Sequence, residues 1–144
     1  MIFGPGDKQR RFGWAIDAIQ AGGTIRIDAR AAGGSNSYGY VTDVAEAIAL
    51  AALAPEAAGQ IYNVGQSFVR SPVEWLRRLA EVMDTAIDIE LVKPEAKGLL
   101  WERAEASDPR YPLTLDTSRI RAELGFTELT AEHDALLATI AAGG

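Results

Sequence analysis

A chain of 144 residues, 48% of them hydrophobic, has the length of one ordinary domain and enough apolar material for a real core. Its formal net charge of −6 speaks against nucleic acid as a partner, because such binding normally shows as a basic excess or stripe. The lack of cysteine excludes disulfides, thiol nucleophiles and thiolate metal sites; with no run approaching ~18 apolar residues and no charged-then-apolar leader, no membrane partner is expected and a cytoplasmic setting follows.

Met1 to Phe3 reads as the tail of a strand broken by Gly4-Pro5-Gly6. Asp7 is placed to cap a helix, and Phe12, Ile16 and Ile19 recur at helical spacing until Gly22-Gly23 stops the run. Thr24 to Asp28 alternates as a strand, and Ala29 to Ser37 is a loop of small residues. Tyr38 to Val41 is a short strand, after which Thr42 or Asp43 caps an Ala-rich helix through Leu53. Pro55 to Gly59 breaks that helix, and Gln60 to Val64 reads as a strand.

Ser71-Pro72-Val73-Glu74 is a capping box with proline at the first helical position, opening a helix with Trp75, Leu76, Leu79 and Val82 on one side. Ile87 to Val92 alternates as another strand. Between Pro94 and Arg110, Leu99, Leu100 and Trp101 suit a short helix, while Asp108-Pro109 and Pro112 mark irregular backbone. Leu113 to Leu115 is extended, Asp116 or Thr117 caps a helix to Leu124 with Gly125 to end it, and Thr130 caps a last helix through Ala142. His133, in that last helix, is the single histidine and reads as a surface residue, so no metal site is expected.

Segments in sequence order carry a family pattern: MIFGPGD at the start, YGYVTDVAEAI from Tyr38, GQIYNVG from Gly59, and LDTSRIRAELGF from Leu115. Together they resemble the C-terminal, substrate-binding half of extended short-chain dehydrogenases, the NAD-dependent epimerase/dehydratase family. The resemblance implies an α/β fold over residues 1–144, a single substrate-binding-type domain that lacks the N-terminal Rossmann nucleotide-binding half. It also implies a parent activity of hydride transfer at a carbinol carbon with NAD or NADP. In such an enzyme the cofactor does the redox step and this half supplies pocket walls and orientation.

The catalytic parts of that family are missing from the sequence. Its proton chemistry needs a lysine near a tyrosine to lower the phenol's pKa. In the Tyr-x-x-x-Lys register, Tyr38, Tyr40, Tyr62 and Tyr111 are followed by Thr42, Val44, Gln66 and Leu115. A dinucleotide fingerprint needs a glycine-rich turn between strand and helix; Gly4-Pro5-Gly6 has the wrong spacing, and Pro5 removes a donor. No catalytic residue is therefore expected, and the chain alone should neither turn over nor bind the cofactor tightly. The alternative is a noncatalytic small-ligand-binding or oligomerising module derived from the family.

The expected ligand is a small, sugar-like molecule. The family places an aromatic at the position of Tyr38 in the substrate pocket, and its nucleotide-sugar enzymes often carry a phosphate-binding arginine where Asn36 stands. A second such arginine is replaced here by the Glu105-Ala106 region, with Arg103 or Arg110 as substitutes, a departure that argues against a nucleotide-diphosphate sugar. Lys8, Arg10, Arg11, Arg26 and Arg30 make the first thirty residues basic, either as a solvated face or as a clamp for phosphate or carboxylate beside Gly4-Pro5-Gly6.

The expected substrate-binding residues are Arg10, Arg11, Asn36, Tyr38 and Tyr40. Tyr38 and Tyr40 also fit a plain strand reading, Asp43 a helix-start carboxylate, and Trp75 and Trp101 a core. In the family the strands ending at Phe3 and spanning Gln60 to Val64 belong to the large sheet of the cofactor domain. Without that domain their edges are orphaned, and a homodimer or larger assembly is expected, by exchange of the N-terminal segment or otherwise.

Overall fold

The computed structural model describes residues 1–93 and 112–143. Two parallel strand pairs organise them. β1 (Ile2–Phe3) lies beside β3 (Gly39–Tyr40), and β2 (Thr24–Asp28) beside β4 (Asp88–Val92), with Ile25 opposite Ile89 and Ile27 opposite Leu91. Parallel pairing needs crossovers, and helices supply them: α1 (Gly13–Ala21) lies between β1 and β3 in sequence, α2 (Val41–Leu53) and α3 (Pro72–Val82) between β2 and β4. α4 (Ser118–Leu124) and α5 (Glu132–Ala141) follow.

The predicted span of β2 is reproduced to the residue, and β4 begins one residue later than the pattern suggested. α3 starts at the predicted box: the Ser71 hydroxyl accepts from the Glu74 N–H while the Glu74 carboxylate accepts from the Ser71 N–H. The apolar side of α3 buries Trp75, Leu76 and Leu79, and these join Phe12, Ile16 and Ile19 of the α1 region in the main core. An aromatic nest forms its centre. Phe12 stacks on Tyr38 with ring centroids 4.9 Å apart and lies 4.7 Å from Trp75, while Phe3 meets Phe12 edge-on at 4.9 Å.

Other expectations are corrected. Asp7 does not cap α1, because Arg10 adopts φ 46 and the chain turns once more before the helix begins at Gly13. Its carboxylate instead accepts the N–H groups of Gln9 and Arg11 within that turn. Neither Thr42 nor Asp43 caps α2; Tyr40 holds the cap position. Buried Asp43 reaches across the fold and accepts the N–H groups of Leu129 and Thr130. Thr117 does occupy the expected cap position of α4, but its hydroxyl accepts from Arg121 and not from the helix backbone, and α5 is preceded by Ala131, one residue beyond the expected Thr130.

Gln60 to Val64 is not a strand. Its side chains alternate as a strand's do, with Tyr62 and Val64 packed on Ala47, Ile120 and Phe126 and with Ile61 83% exposed. Among the described residues, however, no neighbouring strand pairs with it, and alternation without a ladder partner leaves extended coil. Asn63 donates to the Asp116 carbonyl, tying this coil to the approach of α4. Leu99, Leu100, Trp101, Arg103, Glu105, Ala106, Asp108, Pro109, Arg110 and Tyr111 lie outside the described residues.

Candidate functional site

The chain between β1 and α1 turns sharply twice. Asp7 N–H bonds the Gly4 carbonyl at 3.1 Å, closing a turn with Pro5 at its first central position and Gly6, at φ 86, at its second. That is the arrangement in which proline and glycine each have the backbone angle they favour. The next turn is held by the Asp7 carboxylate, and Arg10 N–H bonds the Asp7 carbonyl. Two clefts flank the loop. One, of about 310 Å³, is lined by Ile2 to Gln9 together with Arg11 and Val41; the other, of about 540 Å³, includes Gly4, Gly6, Lys8, Arg10 and Gly143.

The expected site residues are distributed around this loop in different ways. Arg11 donates to Asp7 at 2.7 Å and to the Ile2 carbonyl at 2.8 Å, so it lines the smaller cleft as half of an ion pair. Arg10 is exposed, paired with Asp17 at 2.7 Å and donating to the Gly143 carbonyl. Tyr38 and Tyr40 are buried beside Phe3, and the Tyr40 ring lies under Gly4. Asn36 sits apart from the two clefts, bridged to Arg70 on one side and Leu113 on the other. The structure thus gathers Arg10, Arg11 and Tyr40 around the Gly4 turn, puts Tyr38 just beneath in the aromatic nest, and holds Asn36 on a separate seam.

Burial pushes the Tyr38 phenol up to about 12, with the Arg11 charge opposing it. A tyrosine that moves protons near neutrality needs the opposite shift. The Gly4 turn also differs in geometry from a dinucleotide-binding turn. A pyrophosphate is held at a helix N-terminus that opens directly from the glycine turn, and here a second turn separates Gly6 from α1. Among the described residues no group of His, Asp and Glu could hold a metal ion, and no helix is long and apolar enough to cross a membrane.

Lys8 counts in the sequence among the basic residues beside Gly4-Pro5-Gly6 but not among the expected site residues; it lines both clefts and, among the described residues, carries no hydrogen bond or ion pair. Only its neighbours' partners reveal it: Arg10 and Arg11 each have a carboxylate in reach, and pairing across seven residues, as in Arg10–Asp17, leaves no local signature.

The fold built by the two parallel strand pairs and the crossover helices is shared with part of several solved UDP-sugar epimerase structures. Solved structures with this architecture include the UDP-glucose 4-epimerase of Thermus thermophilus in complex with NAD, with a TM-score of 0.64 at 22% identity, matching 99% of this chain and 43% of that one. UDP-glucuronic acid 4-epimerase of Bacillus cereus in complex with NAD gives a TM-score of 0.70 at 16% identity, over 99% of this chain and 42% of that one. RMD of Pseudomonas aeruginosa complexed with NADPH gives 0.69 at 18%, over 99% and 45%. The chain spans less than half the length of these relatives. No protein-family model matches the sequence, and no curated protein matches it.

Proposed function

We propose that this chain is the substrate-binding part of an NAD(P)-dependent epimerase/dehydratase-like oxidoreductase and has no turnover alone. The observation that carries the reading is the near-complete coverage of the chain by less than half of each nicotinamide-bound relative. The absence of any Tyr-x-x-x-Lys pair from the sequence supports it. The ligand is a sugar-like small molecule, in keeping with relatives solved with UDP-glucuronic acid or UDP-glucose. Its place is the Gly4 turn, with Arg10 or Arg11 as an anion partner, Tyr40 and Tyr38 as the apolar wall beneath, and Asn36 as a more distant contact. The setting is cytoplasmic.

Titrating the chain with NADH and following nicotinamide fluorescence tests the cofactor half of this proposal. No saturation is expected in the low micromolar range, which corresponds to about −8 kcal/mol; saturation there would mean a cofactor site exists in this chain. The ligand half is tested by calorimetry with UDP-glucose and UDP-glucuronic acid. Binding that survives Arg10→Gln and Arg11→Gln unchanged would move the site elsewhere. A noncatalytic module is the second reading. Its support is the apolar surface left open by Ile48, Leu53 and Ile61, which suits assembly into a homodimer or larger oligomer.

A further inference from the structure

The loop before α1 has donors to spare where it borders the two clefts. Around Asp7 nearly every donor is engaged: Asp7 N–H with the Gly4 carbonyl, Gln9 N–H and Arg11 N–H with the Asp7 carboxylate, and Arg10 N–H with the Asp7 carbonyl. Among the described residues the N–H groups of Gly6 and Lys8 bond no acceptor, and neither does the Lys8 ammonium. Both residues line both clefts beside the turn. Gly6 has open space where a side chain would stand, so its backbone can be approached closely.

We propose that Gly6 and Lys8 bind a single phosphate group of the ligand, with the two main-chain N–H groups and the Lys8 ammonium as donors. The proposal rests on the placement of the ligand at the Gly4 turn and adds the group that holds its charge. Three donors on residues that line the same clefts suit a tetrahedral dianion, and lysine serves phosphate as a compact point charge. A planar carboxylate is better matched by the fork of an arginine. The two arginines at hand would first have to leave Asp7 and Asp17. Pro5 contributes no N–H, so the turn suits one phosphate and falls short of the fuller cradle that a dinucleotide's pyrophosphate uses. The charge of Asp7 does not defeat the site, because its oxygens are already held by two N–H groups and by Arg11.

Isotope-labelled chain titrated with inorganic phosphate, with amide resonances followed by NMR, tests this directly. Saturable shifts are expected at Gly6 and Lys8, weakened about tenfold by Lys8→Gln, which is about 1.4 kcal/mol, and unaffected by Lys93→Gln. Acetate at the same ionic strength should shift these amides far less. The proposal is overturned by shifts scattered over the surface, by equal loss in Lys8→Gln and Lys93→Gln, by equal response to acetate, or by no saturation. Lys8 is exposed, so Lys8→Gln should leave the fold intact, and its unchanged amide spectrum elsewhere checks this. Phosphate binding can hold while the UDP-sugars fail to bind, and the reverse, so the two proposals stand or fall separately.

Discussion

Gly4 sits where two constraints meet. Its φ of 134 lies in a region L side chains rarely adopt, and a Cβ there would stand 2.7 Å from the Val41 side chain and 2.9 Å from the Tyr40 ring. Gly4→Ala should therefore cost on the order of 1–3 kcal/mol, whereas Gly6→Ala, with open space around it, meets only the backbone penalty of its positive φ. Thermal unfolding of the two variants checks the order, and equal losses would mean that the contact with Val41 and Tyr40 relaxes freely. Ionisation adds a second residue-scale expectation. The Ser71 N–H and hydroxyl hold Glu74 below the usual glutamate range, and Arg30 and Arg121 do the same for Asp28 and Glu128. A carboxylate with a depressed folded pKa contributes stability that is present above its unfolded value and is lost as pH falls through the folded one. The melting temperature should hold from neutrality to about pH 4 and fall below it. Glu74→Gln, which keeps a capping acceptor, should flatten part of that fall; an unaltered acid limb would remove Glu74 from the account.

At the scale of elements, what the sequence foretold depended on whether the cause was local. The start of α3 was readable because serine, proline and glutamate act on one another within four residues, and Ser71→Ala should cost about 1 kcal/mol of unfolding free energy. Circular dichroism during urea unfolding measures that cost, and a loss within a few tenths of zero would mean that Pro72 alone fixes the helix start. β2 was readable from alternation because β4 stands beside it to complete the ladder. Gln60 to Val64 has the same alternation and no ladder, and nothing within the segment distinguishes the two cases. Asp43 shows the limit again: its position suggested a cap, yet its carboxylate serves the turn at Leu129 and Thr130, a partner 86 residues away. The site was half readable for the same reason. The proline-glycine turn announces itself, while the pairing of Arg10 with Asp17, and hence the freedom of Lys8, depends on the folded backbone.

For the whole molecule, the open surfaces set the behaviour. In α2 Ile48 is 64% and Leu53 84% exposed, and Ile61 is 83% exposed on a segment whose backbone has no strand partner among the described residues. No charged residue or proline lies within Gln60 to Val64, the devices by which proteins usually blunt such edges, although Arg119 of α4 donates to the Ile61 carbonyl and the Gln60 side chain. Self-pairing would satisfy the free backbone once Arg119 releases the Ile61 carbonyl, and a twofold arrangement places the same exposed apolar side chains on both sides of the contact. Multi-angle light scattering should show a dimer or larger species whose fraction rises with concentration. Ile61→Lys should shift that equilibrium toward monomer, since a charge at the edge opposes both strand addition and burial. Leu137→Lys, on the exposed side of α5, serves as the control and should leave it unchanged. A monomer at all concentrations, or equal effects of the two lysines, would mean that the Ile61 edge is not the contact, and the assembling-module reading would lose the surface on which it rests.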